Sequence, residues 1–155
     1  MIKKTLEPIL VEHEFFKGLA KKHLDIIVGC AKNVRFEAGQ FVFREGEDAN
    51  EFFIVRSGKI SLETFAPGRG AIIIQTINAD DVLGWSWLFP PYKRHFDARA
   101  LLQTRAISLD GACLRGKCEK DHDLGYELMK RFADIMVNRL QATRMQLLDV
   151  YGNSK

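Results

Sequence analysis

Leu6, Ile9 and Leu10, and then Leu24, Ile27 and Val28, recur at steps of three and four residues, the spacing of one helix face. The two sets are interrupted near Lys17-Gly18, which predicts two short helices joined by a turn within residues 1–32. From Asn33 the period changes to two. Val34 and Phe36 alternate with charged residues, Gly39 turns the chain into Phe41-Val42-Phe43, and Glu45-Gly46-Glu47-Asp48 turn it again. Phe52 to Val55, Ile60 to Phe65 and Ala71 to Ile77 follow as further strands, separated by Ser57-Gly58 and by Pro67-Gly68-Arg69-Gly70. Ala98 to Leu102 and Ala106 to Leu109 resume the pattern later. Short β-branched and aromatic runs punctuated by glycine predict a β sandwich or barrel over residues 33–109.

After Asp110 the pattern is helical to the end. Asp110 is placed to cap a short helix running through Cys118, and a second helix is expected from Asp121 or Asp123. That helix carries one apolar stripe: Leu124, Leu128, Phe132, Met136, Leu140, Thr143, Leu147 and Val150. A seam of this length predicts packing on its own domain in one half and on a second copy in the other. Residues 110–155 are thus read as C-terminal helices of a single domain covering 1–155.

Composition narrows the function only a little. The 155 residues are 46% hydrophobic and 28% charged, as in an ordinary globular domain, and the net charge of +3 comes without any densely basic run. An anionic small ligand is compatible with this, whereas nucleic-acid binding is not indicated. Cys30, Cys113 and Cys118 are odd in number and lack metal spacing, which predicts reduced thiols in a cytoplasmic protein. No run suggests a secretory signal or a membrane span. The strand region from Val34 to Ile77 holds no histidine, and no hydrolase, zincin or nucleotide-loop motif occurs, so neither a metal site nor an enzyme is expected.

One stretch resists a purely structural reading: Asp81-Val-Leu-Gly-Trp-Ser-Trp-Leu-Phe-Pro-Pro-Tyr-Lys-Arg-His-Phe-Asp-Ala-Arg-Ala100. It sets Lys93, Arg94 and His95 side by side between two strands. A core has no use for that cluster; a pocket receiving an anion does. The ordinary alternatives are an exposed loop arginine at 94 and a loop histidine at 95.

The run Phe36-Glu-Ala-Gly39-Gln-Phe41-Val-Phe43-Arg-Glu45-Gly46, with Ala49, Phe52 to Val55, Gly58 and Ile60, resembles the strand-and-turn core of the cyclic nucleotide-binding domain. Asp81-Val82-Leu83-Gly84 is similar to the strand end before that family's phosphate-binding cassette, and Arg139-Leu140-Gln141-Ala142-Thr143 resembles the dimerising helix of bacterial catabolite activators. The resemblance implies a mainly β fold: an eight-stranded β jelly roll with N-terminal helices and a long C-terminal helix. It further implies that backbone N–H groups after Gly84, joined by Arg94, hold the phosphate of a cyclic nucleotide, so cyclic AMP and cyclic GMP are the named ligands. On that register Ala98, Ala100 and Leu102 point inward and Arg99 outward. Ser86 is a donor candidate or a cap. Trp85 and Trp87 shape the pocket or plug it. Thr143 and Arg144 fall where the activators' long helix reaches the purine, or are a polar seam position and a solvated residue.

The chain departs from the family at Trp85, which stands where a glutamate accepts the ribose 2′-hydroxyl, and at His95 and Phe96, which replace small residues. An indole cannot accept that bond. Losing the acceptor in a desolvated site costs about 1–3 kcal/mol, roughly ten- to a hundredfold in affinity. The reading is a dimeric regulatory domain that binds a small phosphorylated ligand and signals through its C-terminal helix to a protein partner. The alternatives are a ligand-free interaction module plugged by its tryptophans and a redox sensor at Cys113 or Cys118. Because the sequence ends at Lys155, direct DNA reading is not expected.

Overall fold

The structure is a computed structural model that describes residues 2–152, with side chains from residue 6 onward. Helix α1 (Ile2–Glu12) is followed by a 3-10 turn at Glu14–Phe16 and by α2 (Lys21–Gly29). Leu6 and Leu10 on α1, and Leu24, Ile27 and Val28 on α2, are buried, as their spacing requires.

Eight antiparallel strands come next: β1 (Ala31–Phe36), β2 (Phe41–Phe43), β3 (Glu51–Ser57), β4 (Ile60–Ala66), β5 (Gly70–Ile77), β6 (Val82–Leu83), β7 (Asp97–Ala100) and β8 (Thr104–Asp110). They form two four-stranded sheets, ordered β1-β8-β3-β6 and β2-β7-β4-β5. Apart from the β4–β5 hairpin, consecutive strands alternate between sheets, which is the jelly-roll arrangement. The first strand starts at Ala31, directly after α2, two residues before the period change in the sequence. Leu101 and Leu102 lie beyond β7 and are exposed, so only Ala98 and Ala100 point inward; the inward placement expected of Leu102 is corrected by the early end of the strand. Gly58 closes the β3–β4 turn at φ +101°, where a Cβ would sit 2.4 Å from Thr104 Oγ1. Only glycine fits there.

Helix α3 (Gly111–Lys120) begins at Asp110, whose Oδ1 accepts the Cys113 N–H at 3.0 Å. Helix α4 (His122–Gly152) begins at Asp121, which accepts the N–H groups of Asp123 and Leu124 at 3.1 and 3.2 Å. The proximal half of the predicted stripe is buried: Leu124, Leu128 and Phe132 have no exposed surface. The distal half is not, with Leu140 70% and Val150 66% exposed.

Two cores result. One lies between the first sheet and the helices and contains Phe52, Ile54, Ile107 and Leu109 with Leu10, Ile27, Trp87 and Phe132. The other lies between the sheets and contains Phe43, Phe53, Val55, Ile60, Leu62, Leu83 and Ala98. The period of two sends alternate residues of β3 (Phe52 and Ile54, Phe53 and Val55) to opposite cores.

Candidate ligand-binding site

Strand β6 is held to β3 by the pairs Leu83–Phe53 and Val82–Ile54, and the chain then turns at Gly84 with φ +95°. A side chain is excluded here twice over. The backbone conformation is one that other L residues rarely adopt, and a Cβ would lie 2.8 Å from Arg94 Nη1. The absent side chain thus leaves the guanidinium edge bare toward the cassette.

Arg94 is delivered by a tight strap. Its N–H donates to Glu47 O and its carbonyl accepts from Gly46 N–H, both at 2.9 Å, while Ala49 N–H donates to Tyr92 O at 2.8 Å. This pins residues 92–94 to the turn after β2 and turns the Arg94 side chain inward, where it is only 4% exposed. Nη2 donates to Glu51 O at 2.8 Å, and the guanidinium carbon lies 4.0 Å from the centre of the Phe43 ring. Nε and Nη1 are buried and have no hydrogen-bond partner among the described residues. Burial lowers the guanidinium to about 10, with Glu51 and Glu47 opposing the shift, so it stays charged at neutral pH. A buried cation with free donors is costly unless an anion completes its set.

The neighbours do not all join it. Lys93 is exposed and bonds Asp48, which corrects the expectation of three cationic groups acting together. His95 is exposed and lies flat on Trp85, ring centroids 5.1 Å apart and planes 16° apart, so these two form one aromatic shelf beside Arg94. Ser86 begins the three-residue 3-10 turn Ser86–Leu88 and is buried. Trp87 turns the other way. It is fully buried in the helix-side core, stacked on Phe52 at 5.1 Å and edge-on to Phe132 at 5.5 Å, and it is not brought to Arg94. The turn geometry separates the two indoles, because residues two apart on a 3-10 turn point about 120° apart.

Residues 33–121, which contain this site, match the family model described as the cyclic nucleotide-binding domain. The chain belongs to the cyclic nucleotide-binding domain family. It is similar to a CRP-like cAMP-activated global transcriptional regulator of Mycobacterium tuberculosis, 25% identical over 145 residues, covering 94% of this chain and 63% of that protein. The chain therefore spans a little under two thirds of that relative's length. A cyclic nucleotide-binding domain from Methylobacillus flagellatus superposes with a TM-score of 0.77 at 14% identity, covering 95% of this chain and 83% of that one. The regulatory domain of Toxoplasma gondii PKA, crystallised with cAMP, superposes with a TM-score of 0.63 at 22% identity, covering 74% and 43%.

Within this cyclic nucleotide-binding domain, Thr143 and Arg144 are exposed on the distal half of α4, and a single chain does not bring them to Arg94. Arg99 lies on the face opposite Ala98 and Ala100, where it pairs with buried Glu63 at 2.9 Å. Two arginines that sequence reasoning passed over brace the cassette. Arg115 donates to Trp87 O at 2.6 Å and Ala49 O at 3.1 Å. Arg139 donates from α4 to Val82 O, two residues before Gly84, and burial lowers it to about 10. Both targets are backbone carbonyls, which no sequence pattern marks. Burial, with Asp121 and Glu119 adding to it, pushes the Cys118 thiol up to about 11, which disfavours the reactive thiolate that redox sensing requires. Among the described residues no helix is long and apolar enough to cross a membrane.

Proposed function

We propose that this cyclic nucleotide-binding domain is a regulatory, non-catalytic module that receives a small phosphorylated ligand at Arg94. One observation carries the reading: a guanidinium 4% exposed, with Nε and Nη1 unpartnered, beside a glycine whose Cβ would touch it. The backbone after Gly84 and the Ser86 hydroxyl supply further donors, and the Trp85–His95 shelf offers a flat face to a planar group. Cyclic AMP and cyclic GMP are the first ligands to test, since the Toxoplasma neighbour was crystallised with cAMP.

The signal would leave through α4. Arg139 ties that helix to Val82, so a cassette that tightens on an anion also pulls the helix. The exposed distal half, with Leu140 and Leu147, suits a second copy, which would bring its own Thr143 and Arg144 toward the first copy's site. A cytoplasmic homodimer with a downstream protein partner is the assembly this reading entails. A second reading has one observation in its favour: Phe43 already stacks on Arg94, as a filled, ligand-free interaction module would have it.

Calorimetric titration with cyclic AMP and cyclic GMP, followed by tryptophan fluorescence from Trp85, separates the two. Saturable binding that vanishes in Arg94→Ala while the fold is kept supports the ligand reading; silence to millimolar concentration supports the filled module. Trp85→Glu, restoring the acceptor for a ribose hydroxyl, is expected to tighten cyclic nucleotide binding about tenfold or more.

A further inference from the structure

The outer face of the first sheet changes character partway along its strands. Ala31, Phe52, Ile54, Ile107 and Leu109 lie in the helix-side core. Further along the strand period, two residues on from Ile54 and Ile107 and four from Ala31, the same face carries Arg56 on β3, Arg105 on β8 and Arg35 on β1. All three are exposed, and with Asn33 and Val34 they line a cleft of about 410 Å³.

The register forces these charges together. Arg35 stands directly opposite Arg105 in the β1–β8 ladder. On the other side Val55 faces Ala106 and Ser57 faces Arg105, so Arg56 is the extra residue of a bulge. Like charges directly opposed across a ladder are destabilising. Little relieves them: Arg35 lies 3.2 Å from Glu37, both side chains more than half exposed, and among the described residues the Arg56 and Arg105 side chains have neither a hydrogen bond nor an ion pair. Of the three guanidiniums, only that of Arg35 has a carboxylate partner among the described residues.

We infer that Arg35, Arg56 and Arg105 form a second anion site, for a small oligophosphate of the pyrophosphate class. Arginine is charged at every physiological pH, and its planar fork bonds phosphate oxygens in pairs. Three adjacent strands set about 4.8 Å apart spread the guanidiniums over roughly 10 Å, wider than one phosphate and suited to two or three linked ones. The net charge of +3 and the absence of any other basic run argue against a long polyanion as the occupant. This site is independent of Arg94, which opens toward the cassette from between the sheets.

Inorganic pyrophosphate titrated by calorimetry at constant ionic strength tests the inference. One saturable site per chain is expected, weakened about tenfold or more in Arg105→Gln and in Arg56→Gln and unchanged in Arg94→Ala. Without ligand, Arg105→Gln is expected to melt at the same or a higher temperature, because it removes a repulsive pair; this shows that lost binding is not lost folding. No saturation by millimolar pyrophosphate, unchanged binding in Arg105→Gln, or loss only in Arg94→Ala would overturn it. So would tighter binding of a single-stranded oligonucleotide than of pyrophosphate.

Discussion

Trp87 and Arg94 lie seven residues apart and are both buried, yet they sit in different cores that obey different rules. On the helix side, Trp87 is enclosed by Phe52 and Phe132, and Phe15 packs edge-on to Phe132 at 4.9 Å. Apart from the unpaired Trp87 Nε1, nothing in that cluster of rings asks for more than contact. Between the sheets, Arg94 brings a charge into an apolar wall and leaves two of its nitrogens unpaired. The first region is built for stability. The second carries a cost that the proposed anion would offset, and on that reading the two should answer mutation in opposite ways.

The largest expected effect is on the helix side. Trp87→Ala is predicted to lose about 3–5 kcal/mol of stability, read from a denaturant midpoint, because it empties the junction of β3, α3 and α4. A loss no larger than that of a surface substitution would break the comparison. Next comes Gly84→Ala, expected to cost about 1–3 kcal/mol through the forced positive φ. It should also abolish anion binding, since the new Cβ falls on Arg94 Nη1. Normal binding in a destabilised Gly84→Ala would mean that Nη1 does not face the ligand.

Arg94→Met is expected to move stability by no more than about 1 kcal/mol, or to raise it, while removing anion binding. The sign follows from the titration. Burial lowers the folded-state value from the ordinary arginine range to about 10, so the charged arginine carries its desolvation penalty at every pH below 10. Stability from this group rises only as pH climbs above about 10, where the unfolded chain binds more protons. A clear loss of stability in Arg94→Met would make the arginine a structural strut instead.

The smallest effect concerns Cys118. Its folded-state value is raised from 9.0 to about 11, so its contribution to stability is complete below pH 9 and is lost as pH rises toward 11. At pH 8 a maleimide should label Cys118 far more slowly than exposed Cys113, with the gap closing above pH 10. Equal rates at pH 8 would revive the redox reading for Cys118.

Much of the fold was legible in the sequence. The change from helical to strand period, the glycines at turns, and the caps at Asp110 and Asp121 each act through backbone conformation or local hydrogen bonds, so a linear pattern carries them. Strand ends were less legible, as at Leu102, because a ladder stops where its partner stops. In the proposed site, Gly84 and Arg94 stand out by type and spacing. The roles of Trp85 and Trp87 could not be told apart, since both are apolar and the difference lies in how deeply each is buried and in what it stacks on, Phe52 for Trp87 and His95 for Trp85.

What the sequence by itself determined, then, is the order of elements, the jelly-roll class and the position of an arginine after a turn glycine. Only the tertiary structure decided that Lys93 is drawn off to Asp48, that Trp87 belongs to the helix-side core, and that Arg139 fastens α4 to Val82. It likewise decided that Arg35, Arg56 and Arg105 meet on one face. Those outcomes depend on long-range register and on which backbone carbonyls are left within reach. Neither quantity exists until the sheets have closed on each other.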